Sequence, residues 1–368
     1  MQPPIRIPIY QPDLSGNEKA YVNECLDSTW ISSKGVFIDR FQGGFAEYIG
    51  APHALAVSNG TVALHLALAA LGLGPGDEVI VPSLTYVAAV NAIRYVGATP
   101  VFADSEAAYW QVSVADVAAR ITPKTKAIMA VHLYGQACDM AALSDLAKAH
   151  GLLLIEDCAE AFGTRIGKQH VGTFGDIACF SFFGNKTITT GEGGMVVARD
   201  PALHRLALKL RGQGLADDRE YWHDVVGYNF RMTNICAAIG LAQLERAGDF
   251  LRRKRVLAEG YREGLRGLPV SLHGEAAGTT HSYWMCSLLT DDPAQRDPLR
   301  RTMRAAGIET RPVFHPVHTM PMYAAGQTGL STSLELASRG INLPSWPGLG
   351  EEGVRTINEV IRGHFAKE

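Results

Sequence analysis

The sequence is short of most features that would assign it quickly. Its six cysteines (Cys25, Cys138, Cys158, Cys179, Cys236, Cys286) form no C-x-x-C pair. Several sit in apolar runs such as Ile177-Ala178-Cys179-Phe180, which reads as buried reduced thiols and argues against a disulfide framework. Net charge is nearly absent, 34 basic against 37 acidic residues for a formal value of -3. That excludes broad attraction to nucleic acid or to an anionic membrane, so any bound phosphate needs a local site. No apolar stretch approaches the roughly 20 residues that span a bilayer. The opening MQPPIRIPIY has no charged region followed by an apolar core, and the expected compartment is the cytoplasm. No G-x-G-x-x-G follows the first strand and no G-x-x-x-x-G-K-[ST] occurs, so neither a dinucleotide fold nor a P-loop is supported. His132, His315 and His318 lack the spacing of a site such as H-E-x-x-H, and no metal is expected. There is no internal repeat and no low-complexity segment.

What is present is a chain of 368 residues, 47% hydrophobic and 19% charged, long enough for a large core and more than one lobe. From about Leu55 to Val197 short apolar runs alternate with helical patterns, as in parallel strands joined by helical crossovers. The expected strands are Ala54–Val57, Glu78–Val81, Thr99–Ala103, Ala127–Val131, Leu152–Glu156, Ile177–Ser181 and Gly194–Val197, forming one α/β sheet with helices such as Val62–Leu71 and Met140–His150 between them. From Thr233 to about Leu268 the pattern turns helical and charged, a linker helix into a smaller lobe. That lobe is expected to hold strands at Val270–His273, His281–Leu289 and Ile308–Phe314, with helices near Pro298–Ala306 and Glu351–Phe365. The division expected is residues 1–245 for the large lobe and 246–368 for the small one.

Four segments carry candidate chemistry. Ser181-Phe182-Phe183-Gly184-Asn185-Lys186, followed by the glycine-rich Thr190-Gly191-Glu192-Gly193-Gly194, sets one lysine between a strand end and a turn. Desolvation there would favour the neutral, nucleophilic amine that forms a Schiff base; a solvated loop lysine is the plainer alternative. Leu152 to Glu160 is a buried strand ending in acids at its carboxyl edge, where open α/β sheets bind ligands. Asp157 there could hold a pyridine nitrogen protonated, or merely cap a turn. Ser58-Asn59-Gly60-Thr61 leads from a strand into an apolar helix, so free backbone N–H groups could cradle a phosphate, unless Ser58 or Asn59 is only an N-cap. Tyr86 follows another strand end, where its ring could stack on a cofactor or simply fill the core.

These segments, with Gly227-Tyr228-Asn229-Phe230-Arg231-Met232, occur in an order that resembles the DegT/DnrJ/EryC1/StrS family of sugar aminotransferases, from Gly16-Asn17-Glu18 to Asn342-Leu343-Pro344. The resemblance implies an aspartate aminotransferase-like fold (fold type I): a large lobe with a mostly parallel seven-stranded sheet and a smaller α+β C-terminal lobe. It implies pyridoxal 5'-phosphate (PLP) as cofactor and a homodimer with shared active sites. By position, Lys186 is the Schiff-base lysine and proton shuttle, and Asp157 pairs with the pyridinium nitrogen. Asn59, Gly60, Thr61 and Ser181 lie at the cofactor phosphate, which Asn229 reaches from the neighbouring subunit, and Tyr86 stacks on the ring. Position 160, often glutamine in the family and in contact with the cofactor's 3′ oxygen, is Glu160 here; a carboxylate beside that oxygen requires a shared proton.

Finer matches at Phe182 to Met195, Arg211-Gly212-Gln213-Gly214, Tyr221-Trp222-His223, Arg231 to Ile235 and Arg311-Pro312-Val313-Phe314-His315-Pro316 resemble the branch that aminates GDP-4-keto-6-deoxy-D-mannose, with L-glutamate as donor, to give GDP-perosamine for surface polysaccharide. Arg231, Arg311 and His315 are the candidate substrate contacts, though either arginine could be a structural salt bridge. Another nucleotide-linked keto sugar (UDP or dTDP), a PLP-dependent sugar dehydratase, a non-catalytic PLP-binding regulator and a plain amino-acid aminotransferase are the competing readings. The dehydratase replaces the Schiff-base lysine with histidine, and Lys186 argues against it.

Overall fold

The computed structural model describes residues 4–324 and 328–366. Seven strands form the central sheet: β1 (Ala54–Val57), β2 (Glu78–Pro82), β3 (Thr99–Ala103), β4 (Thr125–Val131), β5 (Leu153–Asp157), β6 (Ile177–Ser181) and β7 (Gly194–Ala198). Their spatial order is β1-β7-β6-β5-β4-β2-β3. All run parallel except β7, which is antiparallel to both β1 and β6.

The apolar runs are continuous because helices cover both faces of the sheet. On β4, Ala127, Met129 and Val131 pack beside Leu66, Val90 and Ile155 on one face. Ile128 and Ala130 pack with Met140, Leu143 and Leu154 on the other, as the two-residue period of a strand requires. The parallel pairing puts the carboxyl ends Val57, Pro82, Val131, Asp157 and Ser181 along one edge. β7, running the other way, brings its amino end Gly194 to that same edge, opposite Ser181.

The helix after β1 spans Gly60–Ala70, two residues earlier than the sequence pattern predicts, because Asn59 Oδ1 accepts from Val62 N at 2.9 Å and closes the first turn. Met140–His150 is a helix as expected, capped by Asp139 and ended by Gly151 at φ 64°.

The smaller lobe has an antiparallel sheet of Val270–Leu272, Cys286–Thr290, Gly340–Leu343 and Arg311–Pro312. Helices Ala247–Gly264, Arg296–Ala305 and Gly350–Phe365 pack a second core against it around Tyr261, Leu288, Leu299, Ile341 and Ile357. Three expectations are corrected here. The linker is two helices, Asn234–Glu245 and Ala247–Gly264, broken at Arg246, where φ -109° and ψ 6° leave the helical region. The strand expected over His281–Leu289 is interrupted: Thr279–Thr280 pairs with Arg165–Ile166 in a separate small sheet, and Tyr283, at φ 49° with its N–H donated to His281 Nδ1, breaks the run before Cys286. Of Ile308–Phe314 only Arg311–Pro312 forms a strand of this sheet, with Val313 N donating to Gly340 O just beyond it and Ile308 bridging Ile7 instead.

The N-terminal segment straps the two lobes together. Ile7 bridges Ile308, Ile9 N donates to Glu309 Oε2 at 3.0 Å, and Trp346 Nε1 donates to Pro8 O. Among the described residues no helix is long and apolar enough to cross a membrane.

Candidate active site

A cavity of about 530 Å³ opens at the carboxyl edge of the sheet. Asn59, Gly60, Thr61, Tyr86, Asp157, Glu160, Ser181 and Lys186 all line it, so eight positions singled out in sequence converge there from four separate strand ends.

Its floor is Asp157, 6% exposed, whose carboxylate accepts, among the described residues, one hydrogen bond, from Ala159 N at 3.0 Å. Burial pushes its pKa up, with the Lys186 charge opposing. A buried carboxylate left with so few donors fits a cationic ring nitrogen placed in the cavity. One wall is the N-terminus of the Gly60–Ala70 helix, where the amides of Gly60 and Thr61 precede the capped amide of Val62. Gly60 approaches β6 so closely that a Cβ would stand 2.7 Å from Ser181 Cβ, which leaves backbone N–H groups and the Ser181 and Thr61 hydroxyls as the lining. That cradle suits a phosphate.

Lys186 rises from the turn after β6, its side chain 13% exposed, with Nζ 3.9 Å from Glu160 Oε1 and 3.8 Å from the centre of the Trp284 ring. Burial lowers its pKa while Glu160 and Asp157 hold it up. Burial likewise pushes Glu160 up to about 7, and its Oε2 is fixed by Tyr134 N at 2.9 Å. Burial thus works against the charge on both groups, while their mutual attraction works for it. The turn itself is clamped: Tyr10 Oη donates to Lys186 O at 2.6 Å and Trp284 Nε1 donates to Asn185 O at 2.7 Å. Tyr86, 58% exposed, stands at the mouth with Phe314 5.6 Å away, centre to centre.

A chain with these features can be placed among known proteins. A profile of the DegT/DnrJ/EryC1/StrS aminotransferase family matches residues 12–362. The chain belongs to this family. It is 59% identical to the GDP-perosamine synthase of Escherichia coli O157:H7 (98% of this chain, 99% of that one) and 54% identical to that of Vibrio cholerae (98% and 99%). Among solved structures, the aminotransferase TlmJ from Streptoalloteichus hindustanus superposes with a TM-score of 0.94 at 33% identity, covering 98% and 99% of the two chains. The protein is therefore a PLP-dependent sugar aminotransferase of the aspartate aminotransferase-like fold.

Four expected site residues lie outside the cavity. Asn229 is exposed, and its Oδ1 accepts from Arg231 Nη2 at 3.2 Å. Arg311 pairs with Glu309 at 2.6 Å, and His315 is exposed. Conversely, the sequence reading missed Tyr10, Trp284 and Phe314. No local pattern marks them, because they reach the site from the strap and the small lobe; the aromatic run Tyr283-Trp284 was the only available signal. A buried trio, His132, Glu156 and Cys158, also lies close together. Glu156 there is filled: Phe174 N and Gly175 N donate to Oε1, and Gly172 N and His132 Nε2 to Oε2. It reads as a packed polar cluster.

Proposed function

We propose that the protein transfers the amino group of L-glutamate to C4 of GDP-4-keto-6-deoxy-D-mannose, giving GDP-perosamine for surface polysaccharide. The observation that carries the chemistry is Lys186, a largely buried amine facing Glu160 in a cavity that Asp157 also lines. The choice of sugar is supported by the two relatives named above, similar over nearly their whole length.

PLP supplies an electron-withdrawing ring able to stabilise negative charge at the reacting carbon. Asp157 keeps the ring nitrogen protonated. The opening amides of the Gly60–Ala70 helix, with Asn59, Thr61 and Ser181, hold the phosphate, and Tyr86 covers the ring. Lys186 Nζ would hold the cofactor, and when free its neutral amine would carry a proton between the reacting carbons, a role that a pKa lowered by burial favours. Glu160 Oε1 stores the proton that it and the cofactor's 3′ oxygen cannot both lack.

We place Asn229 in the partner's site of a homodimer, reaching the phosphate there. Its exposure outside its own cavity supports this, as does its position beside an uncovered stretch in which Tyr221 is 93% and Val226 91% exposed. Arg231 and His315 are assigned to substrate binding, and Arg311 also, after release from Glu309. The lobes divide at residues 1–245 and 246–368, and six unpaired thiols support a cytoplasmic location. The test is an absorbance scan of the PLP-loaded protein. L-Glutamate bleaches the cofactor band, and GDP-4-keto-6-deoxymannose restores it where the UDP and dTDP analogues do not. Restoration by another nucleotide sugar alone would reassign the acceptor.

A further inference from the structure

Lys254 is the most deeply enclosed charge in the smaller lobe. It lies on the Ala247–Gly264 helix with 0% exposure, and among the described residues no carboxylate comes within ion-pairing distance of it. An ammonium so placed is unfavourable unless carbonyl dipoles and ring faces replace water. Here they do. Nζ donates to Ser345 O at 2.5 Å and to Trp284 O at 3.2 Å, and lies 5.4 Å from the centre of the Tyr10 ring. Burial nevertheless lowers its pKa to about 8.

Two of these three contacts belong to the residues that clamp the Lys186 turn. Trp284, held through its carbonyl by Lys254, donates Nε1 to Asn185 O and presents its ring to Lys186 Nζ. Tyr10, whose ring borders Lys254, donates its hydroxyl to Lys186 O. The third, Ser345, follows the strand Gly340–Leu343, and its Oγ accepts from Cys286 N, one residue beyond Met285 and two beyond Trp284. One buried cation therefore ties both clamps to the small-lobe sheet, and the clamps tie that sheet to the lysine turn of the other lobe.

We propose that Lys254 is a positioning residue for the reaction, acting through Trp284 and Tyr10 to hold the Lys186 amine inside the cavity against Glu160. The proposal rests on the reading of Lys186 as the cofactor-binding lysine. Without the Lys254 charge, the Trp284 carbonyl loses its donor, the indole shifts, and the Lys186 side chain moves toward water. A well-hydrated amine is more fully protonated near neutral pH and serves less well as a base.

The experiment measures Lys186 itself. In cofactor-free protein, arylation of Lys186 by trinitrobenzenesulfonate at pH 7 is followed by peptide mass spectrometry, for wild type, Lys254→Met, and Lys254→Met combined with Tyr10→Phe and Trp284→Phe. The expected result for Lys254→Met is about tenfold slower labelling at pH 7, the change that corresponds to one pKa unit. In the PLP-loaded enzyme, kcat falls by a similar factor with KM for the sugar nearly unchanged. In the double-clamp background the added Lys254→Met change has little further effect, because the arms it acts through are already cut. Unchanged labelling and kcat in a folded Lys254→Met protein overturn the proposal, as does full additivity with the clamp variants. Should Lys254→Met not fold, the Tyr10→Phe and Trp284→Phe proteins decide: if both label Lys186 as wild type does, Lys254 has no path to the site and the proposal fails. Failure of the underlying site reading is separate, since borohydride treatment of wild-type protein with PLP would then leave no cofactor on Lys186.

Discussion

Glu156 and Asp157 are adjacent acids at the end of one strand, and they point to opposite sides of the sheet. Glu156, 0% exposed, faces inward and receives three backbone amides and the His132 ring. Asp157 faces the cavity and receives the Ala159 amide. Full satisfaction turns the first carboxylate into an anchor for the segment Gly172–Gly175, with no capacity left for a ligand. The second, with one donor among the described residues, keeps acceptor capacity on its cavity side. The same residue chemistry thus anchors a buried segment on one face and lines the cavity on the other, and the donors around each carboxylate set the difference.

The sharpest test of that contrast begins on the cavity side. Lys186→Ala should reduce turnover by more than about 10⁴-fold with the thermal midpoint of the cofactor-free protein nearly unchanged, measured by coupled assay and calorimetry. Retained turnover would remove the cavity's claim to the chemistry. Asp157→Asn is expected to lower kcat by about 10² to 10³-fold, the usual cost of one electrostatic group aimed at developing charge. Its pH signature has a definite sign. Burial raises the Asp157 pKa in the folded state, so the folded cofactor-free protein binds that proton more tightly than the unfolded chain does. This contribution to stability is full at low pH and is lost as pH rises from the unfolded carboxylate range through the folded pKa. Denaturant melts of wild type and Asp157→Asn against pH should diverge in that window, with the variant the less affected by rising pH.

Glu156→Gln should show the reverse pattern. Replacing one acceptor oxygen by an NH₂ group strands buried amides and costs about 3 kcal/mol of stability, while kcat of the surviving folded enzyme changes little. A Glu156→Gln enzyme with native stability and lost activity would invert the comparison. A smaller effect is expected from Glu160→Gln: without the neighbouring carboxylate the Lys186 pKa falls, and the labelling profile of Lys186 in cofactor-free protein moves to lower pH. Smallest is Tyr86→Ala, where loss of ring contact should weaken PLP affinity by about 1 kcal/mol, close to fivefold, by equilibrium titration.

Much of this was legible in the chain itself. The central sheet could be read because both of its faces are covered, which turns strands such as Ala54–Val57 into unbroken apolar runs, and because each run ends in residues that mark an edge. The cavity was readable for the same reason: Asp157 and Ser181 end their strands, and Asn59 and Lys186 follow strand ends in the turns beyond. The smaller lobe was harder. His281 to Leu289 has the composition of one strand, yet Tyr283 adopts a left-handed conformation, its N–H donated to the His281 ring and its hydroxyl accepting from Arg262 on the preceding helix. Tyr10 and Trp284 were invisible as site residues because their contacts span 176 and 99 positions of sequence. Asn229 poses a different problem, since its proposed place of action lies on another copy of the chain.

The reversed strand β7 has one more consequence. Because β6 and β7 pair antiparallel with Ser181 opposite Gly194, residues 182–193 form a closed loop, cinched by Phe182 N to Gly193 O and by Thr190 N to Phe182 O. A parallel neighbour would have required a crossover across the sheet before the lysine turn could be fixed. Short-range closure instead costs little chain entropy. Lys186 therefore sits in a loop closed by short-range contacts, poised to take shape early in folding.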